Sequence, residues 1–294
     1  MFNWIGKSED GNTVTLKKLS SEMLSFPVSS ELGFESSNSI GIGAVIDVET
    51  TGLDLCKDKV IEIGLRLFKF SITTGEVISL DSYYSAFEDP NLPLSDRVQI
   101  LTGINNAMLK GQNIDWNYIN ALLSKCQIII AHNASFDRSF IDRNSEISKM
   151  KIWACSLKQI DWMSHGFTSH KLDLLSIYHG FFTDAHRALN DADALIYLLS
   201  LKNKISGTPY LLELLKNASK PSILVKAWNA PIKNKDLLKV NGYRWQVNQR
   251  VWDKTILEEH RETEIKWLTE DIYEGKCLAE LRTIELIDHF KNIA

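Results

Sequence analysis

The sequence predicts an α/β protein in which a mixed sheet carries helices on its faces, followed by a small α+β domain. Three observations carry this expectation. Strand-like segments come first, in "IGAVIDV", "KVIEIGLRLFKF" and "EVISLDSYYSAF"; helical and strand signals then alternate up to about residue 205; and the texture changes again after Pro221.

Residues 1–40 hold scattered apolar positions and the serine-rich stretch "SFPVSSELGFESSNS", which reads as an extension and connector with no assignable role. From Gly41 the three strands follow one another, with "TTGE" as the turn between the last two, so an antiparallel meander is expected. In "PLSDRVQILTGI" and "DWNYINALLSKC" the apolar residues recur three and four apart, which predicts helices. The apolar run "QIIIAHN" is a short strand, and Ser135 is the expected cap of the helix "SFDRSFIDRN". "KIWACSL" is another short strand, and helices are expected around "HKLDLLSIYHG" and "ALNDADALIYLLSLKNK". "SGTPYLLELLKNASKPS" reads as a helix and a breaker, placing a boundary near Lys220 and Pro221. The expected division is an extension at 1–40, a main domain at 41–205, a helical linker at 206–220 and a small domain at 221–294.

Composition bounds the rest. With 294 residues, 44% hydrophobic and 24% charged, the chain can bury one large core and a small one. A net charge of −4 argues against coating nucleic acid by charge alone, though not against local binding. Cys56, Cys126, Cys155 and Cys277 are scattered, which suggests neither a thiolate zinc site nor a disulfide framework; reduced, mostly buried thiols are expected. No apolar run is long enough to cross a bilayer, and "MFNWIGKSEDGN" turns polar too early for a signal peptide, so a soluble, cytoplasmic protein without a membrane partner is expected.

The chemistry begins at "GAVIDVETTGLD", where Asp47 and Glu49 interrupt a buried strand. Alternate residues of a strand point the same way, so both carboxylates leave one face roughly 7 Å apart. Near a dry interior they repel each other and lose solvation unless a positive charge lies between them, and a divalent cation fits. Asp137 in "AHNASFD" lies just inside a helix, where an aspartate is ordinarily only a partner for the helix dipole. His186 and Asp191 in "AHRALNDADA" are five positions apart, a rotation of about 140° on a helix, so the histidine must precede the helix to reach a site shared with Asp191. Asp193 would face elsewhere and is expected in solvent, and His132, after a buried strand, is expected to be a structural hydrogen-bonding residue.

Taken together, "DVETTGLD", "HNASFD" and "HRALNDADA" resemble, in order, spacing and wording, the three motifs of the DEDDh superfamily, the DnaQ-like 3′-to-5′ exonucleases. The resemblance covers residues 41 to 203, with "LTGI" and "WACSL" as further family-like features. It is closest to bacterial polymerase-epsilon-like exonucleases that carry an extra C-terminal module, like "DLLKVNGYRW" here. The resemblance implies a ribonuclease H-like fold and a phosphodiester hydrolase acting on nucleic-acid 3′ ends. It also implies two magnesium or manganese ions, roughly 4 Å apart in such sites, that hold attacking and leaving oxygens in line. Asp47, Glu49, Asp137 and Asp191 would form the metal shell, with His186 as general base; histidine ordinarily titrates near pH 6.5, which suits proton removal from the attacking water. Substrate contacts are expected from the backbone near Thr50 and Thr51 and from Leu53, with Ile104 divided evenly between base contact and core.

In the C-terminal domain, "SILVKAWNA" predicts a strand, "NKDLLKVNG" a short helix ended by Gly242, and "YRWQVNQRVWDKTI" a hairpin turning at Val247 and Asn248. Seven basic residues (Lys226, Lys233, Lys235, Lys239, Arg244, Arg250, Lys254) stand against Asp236 and Asp253, interleaved with Tyr243, Trp245 and Trp252. The charges lean toward a nucleic-acid contact, and the aromatics toward a small core. The expected partner is single-stranded or 3′-terminal nucleic acid, DNA before RNA. The alternatives are an exoribonuclease or oligoribonuclease and a non-catalytic nucleic-acid-binding scaffold, and an intact set of four acids plus histidine speaks against the scaffold.

Overall fold

The computed structural model describes residues 8–10, 12–26, 39–184 and 186–291, so most of the serine-rich connector lies outside the described residues. The chain divides into two compact units, with the break between Ala218 and Ser219; Phe290 and Lys291 return to the first.

In chain order the first unit contains β1 (Lys17–Lys18), β2 (Ile40–Thr50), β3 (Val60–Ser71), β4 (Val77–Phe87), α1 (Asp96–Thr102), α2 (Asn106–Leu109), α3 (Trp116–Lys125), β5 (Ile128–Ala131) and α4 (Ala134–Ile141). Then come α5 (Glu146–Lys149), β6 (Ile152–Cys155), α6 (Ser156–Gln159), α7 (Leu172–Tyr178), β7 (Phe181–Phe182), α8 (Ala188–Ser200) and α9 (Tyr210–Ala218). The main sheet has five strands in the order β4-β3-β2-β5-β6. β2, β3 and β4 form the expected antiparallel meander, and β5 and β6 add in parallel, each reached through a helical crossover. This is the mixed, helix-flanked sheet expected of a ribonuclease H-like fold.

Alternation along the central strands builds a separate apolar layer on each face. Ala44, Ile46 and Val48 of β2, with Ile63, Leu65 and Leu67 opposite them on β3, pack against Ile119, Leu122 and Leu123 of α3 and Phe140 and Ile141 of α4. On the other face Val45 and Phe68 pack against α7, α8 and α9 through Leu175, Leu195, Leu198, Tyr210, Leu211 and Leu214. Each such side chain contributes roughly 1.5–3 kcal/mol of burial. The helix at 210–218 is therefore part of the first core; as a linker it would have had to stay solvated, but its apolar face is fully covered. β1 pairs in parallel with β7, Lys17 against Phe181 and Lys18 against Phe182, and Lys18 Nζ meets Asp184 at 2.6 Å.

The helix at the second motif does not start as expected. Its N-cap is Asn133 in a left-handed conformation (φ 87°), with no side-chain cap bond, and Ser135 lies one residue inside the helix. The first free amide, that of Ala134, donates instead to the buried Cys155 Sγ at 3.3 Å. A thiol from the neighbouring strand thus takes the place of a local hydroxyl. Cys126 is buried like Cys155, Cys277 is half-buried and Cys56 is exposed, and all four thiols are free.

The second unit is an antiparallel sheet of β8 (Ser222–Ala227), β9 (Arg244–Gln246), β10 (Val251–Leu257) and β11 (Ala279–Ile284), ordered β11-β8-β10-β9, with α10 (Lys235–Val240) and α11 (Arg261–Trp267). The hairpin β9–β10 turns where expected, and Gly242 takes the left-handed conformation that ends α10. Tyr243 and Trp252 lie in the core with Ile223, Val225, Leu238, Leu268 and Ile272; Trp245 remains half exposed beside Trp252. Among the described residues, no helix is long and apolar enough to cross a membrane.

Candidate active site

Asp47 and Glu49 occupy alternate positions near the C-terminal end of β2. They share its Val45 face, the side on which α8 packs. Parallel pairing between β2 and β5 stops at Val45, so the amides of β2 beyond that point lack a strand partner on this side. Asp137, in the first turn of α4, fills one vacancy: its Oδ1 accepts the Val48 N–H at 3.2 Å. That bond docks the start of α4 on β2 and brings a buried carboxylate to the pair.

The third motif arrives from the other side. α8 begins at Ala188, so His186 precedes the helix, in a turn where its φ is 64°. Its backbone N–H donates to Asp191 Oδ2 at 2.9 Å, folding the turn back over the helix start, and its Nδ1 stands 4.0 Å from Glu49 Oε1. Glu49, His186 and Asp191 each bring a ligand atom to within 4.8 Å of the others. Carboxylate and imidazole donors gathered this closely suit a divalent cation.

The electrostatics are those of acids facing acids. Burial raises the Asp137 carboxyl to about 8, against the pull of the Val48 amide and its own backbone. Burial, then Asp191 and Glu62, raise Glu49 to about 7, with Arg187 pulling the other way. Burial raises Asp191 to about 6, opposed by the His186 amide. Asp47 is held well above the usual carboxylate range by burial and then by the charges of Asp137, Asp191, Glu49 and Glu62. Such mutual repulsion is relieved by protons or by metal ions, and near neutral pH a bound divalent ion neutralises it more completely.

Glu62 is the residue that sequence reasoning missed. It sits on β3 directly opposite Glu49 and is only 1% exposed. The available signal was an acid inside the apolar run "VIEIGLRLF", at a position that a register opposite Glu49 turns toward the same face.

The substrate-contact expectations fare unevenly. Leu53 is 78% exposed, in the turn that follows β2. Thr51 is already committed: its N–H donates to the Lys59 carbonyl at 2.9 Å and its Oγ1 to Asp58 at 2.7 Å. The Thr50 hydroxyl donates to the Gly52 carbonyl at 2.6 Å, closing the turn on itself. Ile104 is fully buried among Ile61, Leu94, Val98 and Leu109, so base contact is ruled out in this conformation. The "LTGI" pattern is a helix ending: Gly103 takes φ 68° at the end of α1, and the apolar residue after it turns back into the core. Asp193 is not solvated; it forms a two-pronged pair with Arg66, both bonds 2.8 Å and both side chains about 15% exposed or less. His132 behaves as a structural residue: Nδ1 lies 2.8 Å from Ser156 Oγ and Nε2 2.7 Å from the His170 carbonyl, and burial lowers it to about 4.

Comparison with known proteins decides the family. The exonuclease family RNase_T matches residues 44–199, just over half of the chain and all three motifs. This chain is an RNase_T-family exonuclease domain with a second unit after it. Among curated relatives, the family likeness runs to DNA polymerase III PolC-type of Halalkalibacterium halodurans, 33% identical over 165 residues, and of Bacillus subtilis, 32% over 163 residues. Each match takes in 53% of this chain and 11% of the polymerase, so the chain corresponds to a small part of those relatives. Solved structures similar to this exonuclease chain include E. coli Exonuclease I with a dA16 oligonucleotide, at TM-score 0.49 and 14% identity over 74% of this chain and 63% of that one. Exonuclease X in complex with 5′-overhanging duplex DNA aligns at TM-score 0.41 and 21% identity over 60% of this chain and 92% of that one.

Proposed function

We propose that the protein removes nucleotides from the 3′ ends of nucleic acids, DNA in the first instance, releasing 5′-mononucleotides. Asp47, Glu49, Asp137 and Asp191 would hold a pair of magnesium or manganese ions, and His186 would act as general base. The observation that carries this reading is the convergence of four raised carboxylates with a half-exposed histidine at one end of β2. Like charges buried together are costly unless a cation is to be bound, and a binding scaffold has no need of them. DNA is preferred over RNA because the curated relatives are DNA polymerases.

Bound divalent ions would supply positive charge to a phosphodiester that otherwise repels its nucleophile. The chain does the rest. The four carboxylates converge from β2, α4 and α8, elements packed on one sheet, so their spacing is fixed before substrate arrives. His186 stands at the solvent side of the cluster with its side chain about half exposed, where it can accept the proton of an attacking water and pass it on. Exposed Leu53 supplies an apolar surface for the terminal base, which reads shape and not sequence.

Parallel digestion of 5′-labelled single-stranded DNA, duplex DNA and RNA, with magnesium or with chelator, tests this reading. A ladder shortening from the 3′ end on DNA only with metal supports it. A preference for RNA moves the substrate to the exoribonuclease alternative, and tight binding with no cleavage under any metal would leave the scaffold reading standing.

A further inference from the structure

Three successive same-face positions of β3 are spent on holding α8. Glu62, Gly64 and Arg66 lie opposite Glu49, Asp47 and Val45, so this face of β3 runs alongside the acids of β2. Arg66 forms the two-pronged pair with Asp193. Gly64 lets the helix come close: a Cβ there would stand 2.2 Å from the Ala188 carbonyl carbon and the Leu189 nitrogen. Only the absence of a side chain allows that approach.

Glu62 completes the arrangement at the end where chemistry would occur. α8 has no side-chain cap of its own, because Arg187 occupies the N-cap position and cannot accept a bond. Glu62 Oε2 accepts the Ala188 N–H at 3.3 Å, and Oε1 accepts from Arg187 Nε and Nη2, both at 3.1 Å. One carboxylate therefore caps the helix from across the sheet and grips the residue that follows His186. Both of its oxygens are engaged by protein donors and the residue is 1% exposed, so it is not placed to take an ion itself. Leaving a further negative charge beside four repelling acids raises Glu49 and Asp47 still more. A carboxylate is a favourable partner for a helix N-terminus and for Arg187, and what ties this one to the site is its place: it lies opposite Glu49 and holds the residue that follows His186.

We propose that Glu62 is a positioning residue of the nuclease site: by capping α8 and clamping Arg187, it sets where Asp191 and His186 stand relative to Asp47 and Glu49. This rests on the metal-dependent exonuclease reading above. The mechanism is geometric. His186 and Arg187 are the two residues immediately before the helix, and His186 already sits in a left-handed conformation that a non-glycine residue adopts only under constraint. Without the Arg187 clamp that turn relaxes, and the imidazole leaves the neighbourhood of Glu49.

Glu62→Ala, Glu62→Gln and Arg66→Ala should be compared in the full chain. Glu62→Ala is expected to lower kcat on single-stranded DNA by about tenfold to a hundredfold, the scale of a misplaced catalytic group, with KM changed by less than about twofold. Glu62→Gln, which keeps the volume and one acceptor, should fall between wild type and alanine and serves where the alanine variant does not fold. Arg66→Ala breaks the other anchor of the same helix and should lower the melting temperature while kcat stays near wild type. In metal-free protein, amide exchange at Ala188 should accelerate in Glu62→Ala and not in Arg66→Ala, a readout independent of activity. The proposal is overturned if both Glu62 variants keep full kcat, or if kcat follows loss of stability equally in the Glu62 and Arg66 variants. Should His186→Ala and Asp47→Ala also keep full activity, the exonuclease reading itself fails; if those two are inactive while the Glu62 variants are not, only the positioning role fails.

Discussion

In the second unit Lys233, Lys239 and Lys254 meet Glu274, Asp236 and Glu264, at 2.7, 3.9 and 2.9 Å, whereas in the first unit Asp47, Glu49, Asp137 and Asp191 meet chiefly one another. The same residue types are thus arranged to opposite effect. The acidic end of the second unit supplies partners for its basic stretch, and Lys226 is taken by Gln249, leaving Lys235, Arg244 and Arg250 without a carboxylate partner among the described residues. The basic run at 226–254 that suggested a nucleic-acid contact is in good part internal pairing. Charge that a unit pairs within itself is already compensated; carboxylates buried together are compensated only by protons or by a cation from outside.

The sharpest way to break this contrast is to discharge the cluster. Asp47→Ala should reduce nuclease turnover by about a thousandfold or more, the several kcal/mol expected when charge stabilisation of the transition state is lost. The conservative Asp47→Asn should raise the melting temperature of metal-free protein at pH 8 by removing a repelled charge, which differential scanning fluorimetry would register. His186→Ala comes next, with turnover down by roughly a hundredfold and manganese affinity changed far less, as expected for loss of a general base.

A third test uses pH. Asp137, Glu49 and Asp191 have folded-state values near 8, 7 and 6, all above those of ordinary carboxylates, so between about pH 4 and pH 8 the native state holds more protons than the unfolded chain. Their contribution is therefore lost as pH rises through that window. Metal-free protein should gain stability relative to Asp137→Asn as pH is lowered from 8 to 4, and the rise in melting temperature on adding magnesium should be largest at pH 8. A constant difference across that range would remove the electrostatic strain from the account. The smallest effect belongs to the other unit: Lys254→Met removes a mostly buried partner of Glu264, which also accepts from the Tyr243 hydroxyl. It should cost about 1–3 kcal/mol of stability, the scale of a partly buried acceptor left short of a donor, and leave nuclease turnover intact.

Much of the first unit was legible because its signals are local. Alternation marks β2, the 3.6-residue period marks α3 and α8, and the spacing of His186 and Asp191 requires the histidine to come before its helix, as it does. What escaped depends on partners distant in sequence. Asp193 reads as a surface acid until Arg66, 127 residues away, is folded against it. Ser135 has the chemistry of a cap, yet Cys155 from the next strand satisfies the helix instead. Glu62 looks like an interruption in a strand until α8 arrives on top of it. Ile104 stays divided between base contact and core at the level of sequence because its surroundings there resemble a family feature; the glycine-ended helix that turns it inward is visible only in the fold.

The pairing of β1 with β7 has a kinetic consequence. Lys17 and Lys18 pair with Phe181 and Phe182, and Lys18 meets Asp184, 166 residues away. Closing so large a loop gains little until the intervening sheet exists, so this tether forms late in folding. Refolding from denaturant should restore the fluorescence of buried Trp153 and Trp162 before nuclease activity returns, and Lys18→Ala should widen that delay.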